Sequence, residues 1–221
     1  MSVTNLVLNE RVYTGIATPA SAYEDNSRWH NNGTHSNVTW VRLPSGLFVR
    51  DFNGATSYCE IPDSPSMRFT RGGFIYGWIY PRTLGAASSG RIIEKSTATT
   101  AYDGYAFYVS TGNILRVLVD HDSATESSGN SVVMNSWQFV VAHINTVARK
   151  LYIGNKNGFT DVTSVVGAVT SPPNVGALAR VGTATLNRTF DGYIVMLRMS
   201  VTTTVNQLYK VFQSERKYFA I

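Results

Sequence analysis

The chain has 221 residues, a formal net charge of +5, 43% hydrophobic residues and only 15% charged ones. That balance excludes a disordered chain, and because the basic residues form no Lys/Arg run, a nucleic-acid partner is not expected. Cys59 is the only cysteine, so an intrachain disulfide and a cysteine-rich zinc site are both excluded. The opening residues carry no basic and apolar leader, so no secretory signal is expected, and no apolar run is long enough to span a bilayer. Length and composition together suit one large all-β domain with neutral polar loops.

Residues 1–23 are expected as an N-terminal extension or arm ahead of a domain over 24–221. Its short extended pieces, Asn5 to Leu8 and Arg11 to Tyr13, would add to a sheet or reach a neighbouring subunit. Residues 24–37 are a polar loop, and Val38 to Val49 holds two strands hinged at Pro44-Ser45-Gly46. Phe52-Asn53-Gly54 turns into Tyr58 to Pro62, and after a loop Phe74 to Pro81 is a strongly apolar strand. Arg91 to Lys95, Gly104 to Val109 and Asn113 to Asp120 follow, bounded by Gly, Ser and Thr clusters.

Val132 to Gly158 is the clearest piece, a hairpin of β-branched and aromatic residues with Gly and Asn where the backbone reverses. Trp137, Phe139 and Val141 fall on one side of it and Gln138, Val140 and Ala142 on the other. Val162 to Val169 is loosely extended, Ala179 to Gly182 is short, and Phe190 to Met199 is a last long strand. Only residues 204–213 show a helical period, with Val205, Leu208, Val211 and Phe212 on one face. The fold class is therefore all-β: a two-sheet antiparallel jelly-roll sandwich with a short C-terminal helix. Its core is expected to include Phe74, Trp78, Phe107, Trp137, Phe139, Leu151 and Ile194.

The order of these pieces resembles the laminin-G-like jelly roll of the concanavalin A-like lectin/glucanase superfamily. The carrying residues are Phe52-Asn53-Gly54 before Pro62-Asp63, the strand Phe74…Trp78…Pro81, and Arg91 to Lys95 followed by Gly104-Tyr105. Asn135-Ser136-Trp137, Leu151 to Asn155 and Phe190-Asp191-Gly192-Tyr193-Ile194 complete the set. The match runs over about residues 24–219 and speaks to fold rather than to function.

Glycosidases of this superfamily carry acids at near-alternate positions of one strand, where they share acid and nucleophile duties. None of Glu10, Glu24, Glu60, Glu94, Glu126 and Glu215 has a second acid at that spacing, so no enzyme is expected. The four histidines supply no catalytic or metal-binding motif. The resemblance implies one structural calcium, which Asp25, Asn53 and Asp191 would hold. Arg28 stands where the family's calcium loop has its first Gly, however, and capping turns explain the same residues. Asp120, Asp122 and Glu126 form a further acidic cluster that reads as a solvated loop tip.

A sugar-stacking surface would draw on Trp29, Tyr102 and Tyr108, with Asp103, Asn31 and Asn32 as polar neighbours. The sequons at Asn32, Asn37 and Asn187 read as chance in a chain rich in Asn and Thr. Two functions from different classes follow. The first is a non-catalytic structural or attachment protein, such as a phage capsid-decoration or fibre protein. It would be a homo-oligomer on a virion or extracellular surface, partnered by itself, other shell proteins and surface glycans. The missing leader, the missing pair of catalytic acids and the low charge favour it, and both ends, including Tyr218, Phe219 and Ile221, need cover from neighbours. The second is a lectin-like carbohydrate-binding module.

Overall fold

The computed structural model describes residues 6–15, 17–19, 22–97, 104–119, 124–145, 148–167, 176–183 and 188–221. In chain order, the first strands are β1 (Leu6–Asn9), β2 (Ala22–Tyr23), β3 (Gly33–Ser36), β4 (Thr39–Arg42), β5 (Phe48–Asn53) and β6 (Tyr58–Ile61). The middle of the chain holds β7 (Gly73–Pro81), β8 (Ser89–Lys95), β9 (Tyr105–Ser110), β10 (Ile114–Val119), β11 (Thr125–Ser127) and β12 (Gln138–Ile144). After these come β13 (Lys150–Asn155), β14 (Gly158–Asp161), β15 (Thr163–Val165), β16 (Ala179–Val181), β17 (Asp191–Ser200) and one helix, α1 (Val205–Glu215).

The strands form two antiparallel sheets. One runs β14-β13-β12-β7-β17-β5-β4 with β1 added to β17, and the other runs β15-β11-β10-β9-β8-β16-β6-β3-β2. The expected two-sheet jelly roll with a C-terminal helix is what the chain forms. Between the sheets lies the main core, where Phe107, Leu151 and Ile194 meet Phe52, Phe69, Ile79 and Val140.

The remaining expected core residues are buried elsewhere. Phe74, Trp78, Trp137 and Phe139 point away from the other sheet into a second cluster with Leu208, Phe212 and Phe219. Both sides of the β12–β13 hairpin are therefore covered, one by the opposing sheet and one by α1 and the C-terminal tail. A bulge in β17, where Met196 takes φ 55°, turns both Val195 and Met196 toward the helix. Gly154 on β13 lets the helix lie close against the sheet: a Cβ there would lie 2.6 Å from the Phe212 ring. A side chain would push the helix off the sheet.

The helix starts on a capping box, in which the Thr204 hydroxyl accepts from Gln207 N and the Gln207 side chain reaches back to the Thr204 backbone. It ends against the sheet, where the Trp78 indole N–H donates to Glu215 Oε2 (2.8 Å) and Arg198 pairs with Glu215 (2.7 Å). Beyond it, Phe219 stacks 4.2 Å from Trp78 and 4.5 Å from Trp137, ring centre to ring centre. The tail expected to need a neighbour is covered by its own sheet.

The described part of the N-terminal segment also lies on its own domain. β1 pairs with β17 through Leu6↔Ser200 and Asn9↔Arg198. Glu10 is buried beside Arg50, and its Oε2 accepts from Leu197 N at 2.8 Å. The Arg50 guanidinium lies 4.4 Å from the Tyr23 ring centre, so its charge is shared between a carboxylate and an aromatic face. Burial pushes the Glu10 carboxyl above its ordinary range against the pull of Arg50.

Candidate functional site: a cleft beside Trp29

The connection from β2 to β3, residues 24–32, carries the one predicted sugar-stacking aromatic that is exposed among the described residues. Trp29 is 47% accessible. The loop around it is nonetheless held firmly, because one carboxylate acts as its hub. Asp25 Oδ1 accepts from Asn9 N and Ser27 N (both 2.8 Å), and Oδ2 accepts from the Ser27 hydroxyl and Asn31 N (both 2.7 Å). Asn31 is buried and donates through Nδ2 to Val7 O (2.6 Å) and to the Ser66 hydroxyl (3.0 Å). Asn32 Oδ1 accepts from Asp25 N, which closes the loop on itself. These bonds tie the loop to β1 on one side and to the turn after β6 on the other.

Trp29 and Arg28 form one wall of a cleft of about 470 Å³. Ser64, Pro65 and Ser66 face them, and Val7 and Val201 line the rest. The volume lies in the range of ordinary small-ligand sites, about 300–1,000 Å³. The Arg28 guanidinium sits 4.8 Å from the Trp29 ring centre. Ser64 and Ser66 share a hydrogen bond at 2.8 Å at the start of a short 3-10 turn. A flat aromatic, two hydroxyls and a cation thus surround a mostly apolar groove. Other residues of the same loop, Glu24, Asp25, His30 and Asn32, line a second cleft of about 370 Å³.

Tyr108, the other predicted sugar-stacking aromatic among the described residues, does not join Trp29. Tyr108 does point to the outer face of its sheet, opposite Tyr105, Phe107 and Val109, but it is only 7% accessible. The guanidinium of Arg91, its cross-strand partner on β8, lies over the ring at 3.9 Å and covers it from solvent. Tyr102 and Asp103 lie outside the described residues, as do Asp120, Asp122 and Asn187. The cleft residues missed were Arg28, next to Trp29 itself, and Val7, Ser64, Pro65, Ser66 and Val201. Apart from Arg28, three separate parts of the chain supply them, and no local pattern joins those parts.

Asp25, Asn53 and Asp191 as placed do not fit a calcium ion. Asn53 and Asp191 face each other across β5 and β17, but Asn53 Oδ1 caps the backbone N–H groups of Ala55, Thr56 and Ser57. Asp191 accepts from Arg82 Nε (2.8 Å) and from the Thr83 hydroxyl (2.9 Å). Arg82 Nη2 also donates to Asp51 Oδ1 and Phe52 O, both at 2.7 Å, so a guanidinium fills the oxygen set a hard cation would take. Asp25 spends its oxygens on the Trp29 loop. Among the described residues no group of three or more His, Cys, Asp or Glu is placed to hold a metal ion.

All six glutamates are ion-paired with arginines: Glu10 with Arg50, Glu24 with Arg11, Glu60 with Arg180, Glu94 with Arg91, Glu126 with Arg116 and Glu215 with Arg198. Glu60 and Glu94 do share a cross-strand row on the outer sheet face, which a search along single strands misses, but Arg180 stands between them. Burial holds the Glu94 carboxyl above its usual range.

A family model described as the concanavalin A-like lectin/glucanases superfamily, of laminin G type, matches residues 53–204. The chain belongs to this superfamily. Solved structures with the same fold include domain 4 of AbnA, a GH43 extracellular arabinanase from Geobacillus stearothermophilus, in complex with arabinotriose. There the TM-score is 0.63 at 13% identity, over 94% of this chain and 98% of that one. The botulinum neurotoxin serotype D binding domain (TM-score 0.63, 12% identity) is matched over 96% of this chain and 52% of its own length. Trypanosoma rangeli sialidase (TM-score 0.63, 13% identity) is matched over 100% of this chain and 34% of its own. The chain thus spans nearly all of the arabinanase domain, about half of the toxin domain and a third of the sialidase. At these identities the likeness is one of fold. No curated relative matches the sequence.

Proposed function

We propose that this protein is a non-catalytic carbohydrate-binding module and that the Trp29 cleft is its ligand site. The observation that carries the reading is an exposed tryptophan on a loop locked by Asp25 and Asn31, facing paired serine hydroxyls. Sugar rings present an apolar face and a rim of hydroxyls, so a fixed indole plane with nearby polar groups suits them, and a preordered loop avoids the entropy of closing on the ligand. The arabinotriose held by domain 4 of the arabinanase supports the same class of ligand. That every glutamate is neutralised by an arginine supports binding without hydrolysis. No ion is needed to order the loop, because Asp25 is satisfied by protein donors.

Decoration of a virion and self-assembly lose the argument from the chain ends, since both described ends pack on the domain. The test is retention in affinity gels cast with a panel of plant, bacterial and animal polysaccharides. The expected result is retardation by at least one polymer, lost in Trp29→Ala, with no release of reducing sugar. Uniform mobility across the panel would reject the module, and sugar release abolished by Glu94→Gln would reject its non-catalytic nature.

A further inference from the structure

Arg28 is set apart from the cations around it. The acids of its own loop, and the one that precedes the Ser64–Ser66 turn, are committed elsewhere: Glu24 to Arg11 (2.5 Å), Asp25 to four donors in its own loop and β1, and Asp63 to Arg68 and Lys95. Among the described residues no acidic side chain lines the cleft. Among the described residues Arg28 makes no ion pair; its one recorded partner is the face of Trp29. Its guanidinium therefore keeps its N–H donors available beside an indole that is itself half-open.

Resting on the carbohydrate reading above, we propose that the cleft selects sugars bearing a carboxylate. The ring of such a sugar lies on Trp29, its acid group meets Arg28, and its hydroxyls face Ser64 and Ser66. The planar guanidinium matches a carboxylate through two parallel N–H···O bonds, a geometry that a neutral ester cannot accept with equal strength. Its place over the Trp29 ring restrains the guanidinium before the ligand arrives, so less freedom is lost on binding than for a free arginine. The selectivity comes from charge complementarity and the affinity from apolar contact, so the two separate by mutation.

The experiment is a printed panel of uronic-acid oligosaccharides of several linkages, each beside its methyl ester and beside sulfated oligosaccharides of similar length, probed with the full chain. At least one uronate is expected to bind about tenfold more tightly than its ester, as one charge-assisted contact implies. Arg28→Gln, an exposed substitution checked by an unchanged melting temperature, should bring acid and ester to equal, weak binding. Trp29→Ala should abolish both. Equal binding of acid and ester by the wild type, or a preference that survives Arg28→Gln, overturns the selectivity and leaves the carbohydrate reading standing. A preference for sulfated sugars overturns the carboxylate assignment, and binding to no sugar at all removes both proposals.

Discussion

The C-terminal tail is the sharpest place to test how this domain holds together. Phe219 is 6% accessible and lies 4.2 Å from Trp78 and 4.5 Å from Trp137, so it caps the second core of the molecule. Removing a buried Phe ring costs about 3–5 kcal/mol through lost transfer energy and the cavity left behind. The tail is free to settle after the loss, so Phe219→Ala should fall near the low end, about 3 kcal/mol. For a domain of this size that is a drop of about 6–12 °C in melting temperature. Thermal unfolding by circular dichroism reads the shift, and tryptophan emission should move to the red as Trp78 and Trp137 lose their cover. Mass in solution should stay the same before and after the change. An unaltered melting curve would refute intramolecular packing of the tail. A fall in mass on mutation would mean that Phe219 packs on a second copy instead.

Three other outcomes follow. Arg50→Met alone should cost about 3–5 kcal/mol because it strands a buried Glu10, whereas Glu10→Leu with Arg50→Met should recover much of the loss; denaturant unfolding of the three chains measures both. The His35 imidazole, half-buried beside Trp40 and near Arg50, is pushed down to about 4, chiefly by burial and then by that guanidinium. The folded state thus refuses a proton that the unfolded chain accepts below its ordinary value. Stability should therefore fall as pH drops from about 6.5 towards 4, by about 1–2 kcal/mol once solvent around the ring is allowed for. Glu10 and Glu94, whose carboxyls are raised by burial, act in the opposite sense, so the comparison is wild type against His35→Phe across that range. Asp25→Ala removes four accepted bonds and should lower stability by about 2–3 kcal/mol, and binding should be lost even though Trp29 remains. A variant that melts early but binds normally would show that the loop is not preordered by Asp25.

Much of the fold was legible because strands and turns declare themselves locally. The β12–β13 hairpin, the breaks at Gly and Asn, and a helix opening at Thr204 with Gln207 three residues on all read from short windows. What covers each face did not. Trp137, Phe139 and Val141 are as apolar as Val140 and Ala142, so the alternation that distinguishes a core face from a wet one is absent, and only the position of α1 separates two cores. Tyr108 was placed on the correct face, but its burial depends on Arg91 arriving from the neighbouring strand past a register shift. In the site, Trp29 was legible as a large aromatic in a polar loop. Its opposite wall, Ser64 to Ser66, and its floor, Val7 and Val201, come from elements distant in the chain and meet only through tertiary packing.

The most direct measurement is a fluorescence titration of the wild-type protein and Trp29→Ala with whichever oligosaccharide the polymer panel selects. If Trp29 is the stacking plane, ligand shifts and quenches wild-type emission in a saturable way, while the Trp29→Ala protein, folded and with its three other tryptophans retained, gives no change and no binding. Saturable binding by Trp29→Ala with wild-type affinity would place the ligand elsewhere on the molecule and contradict the account.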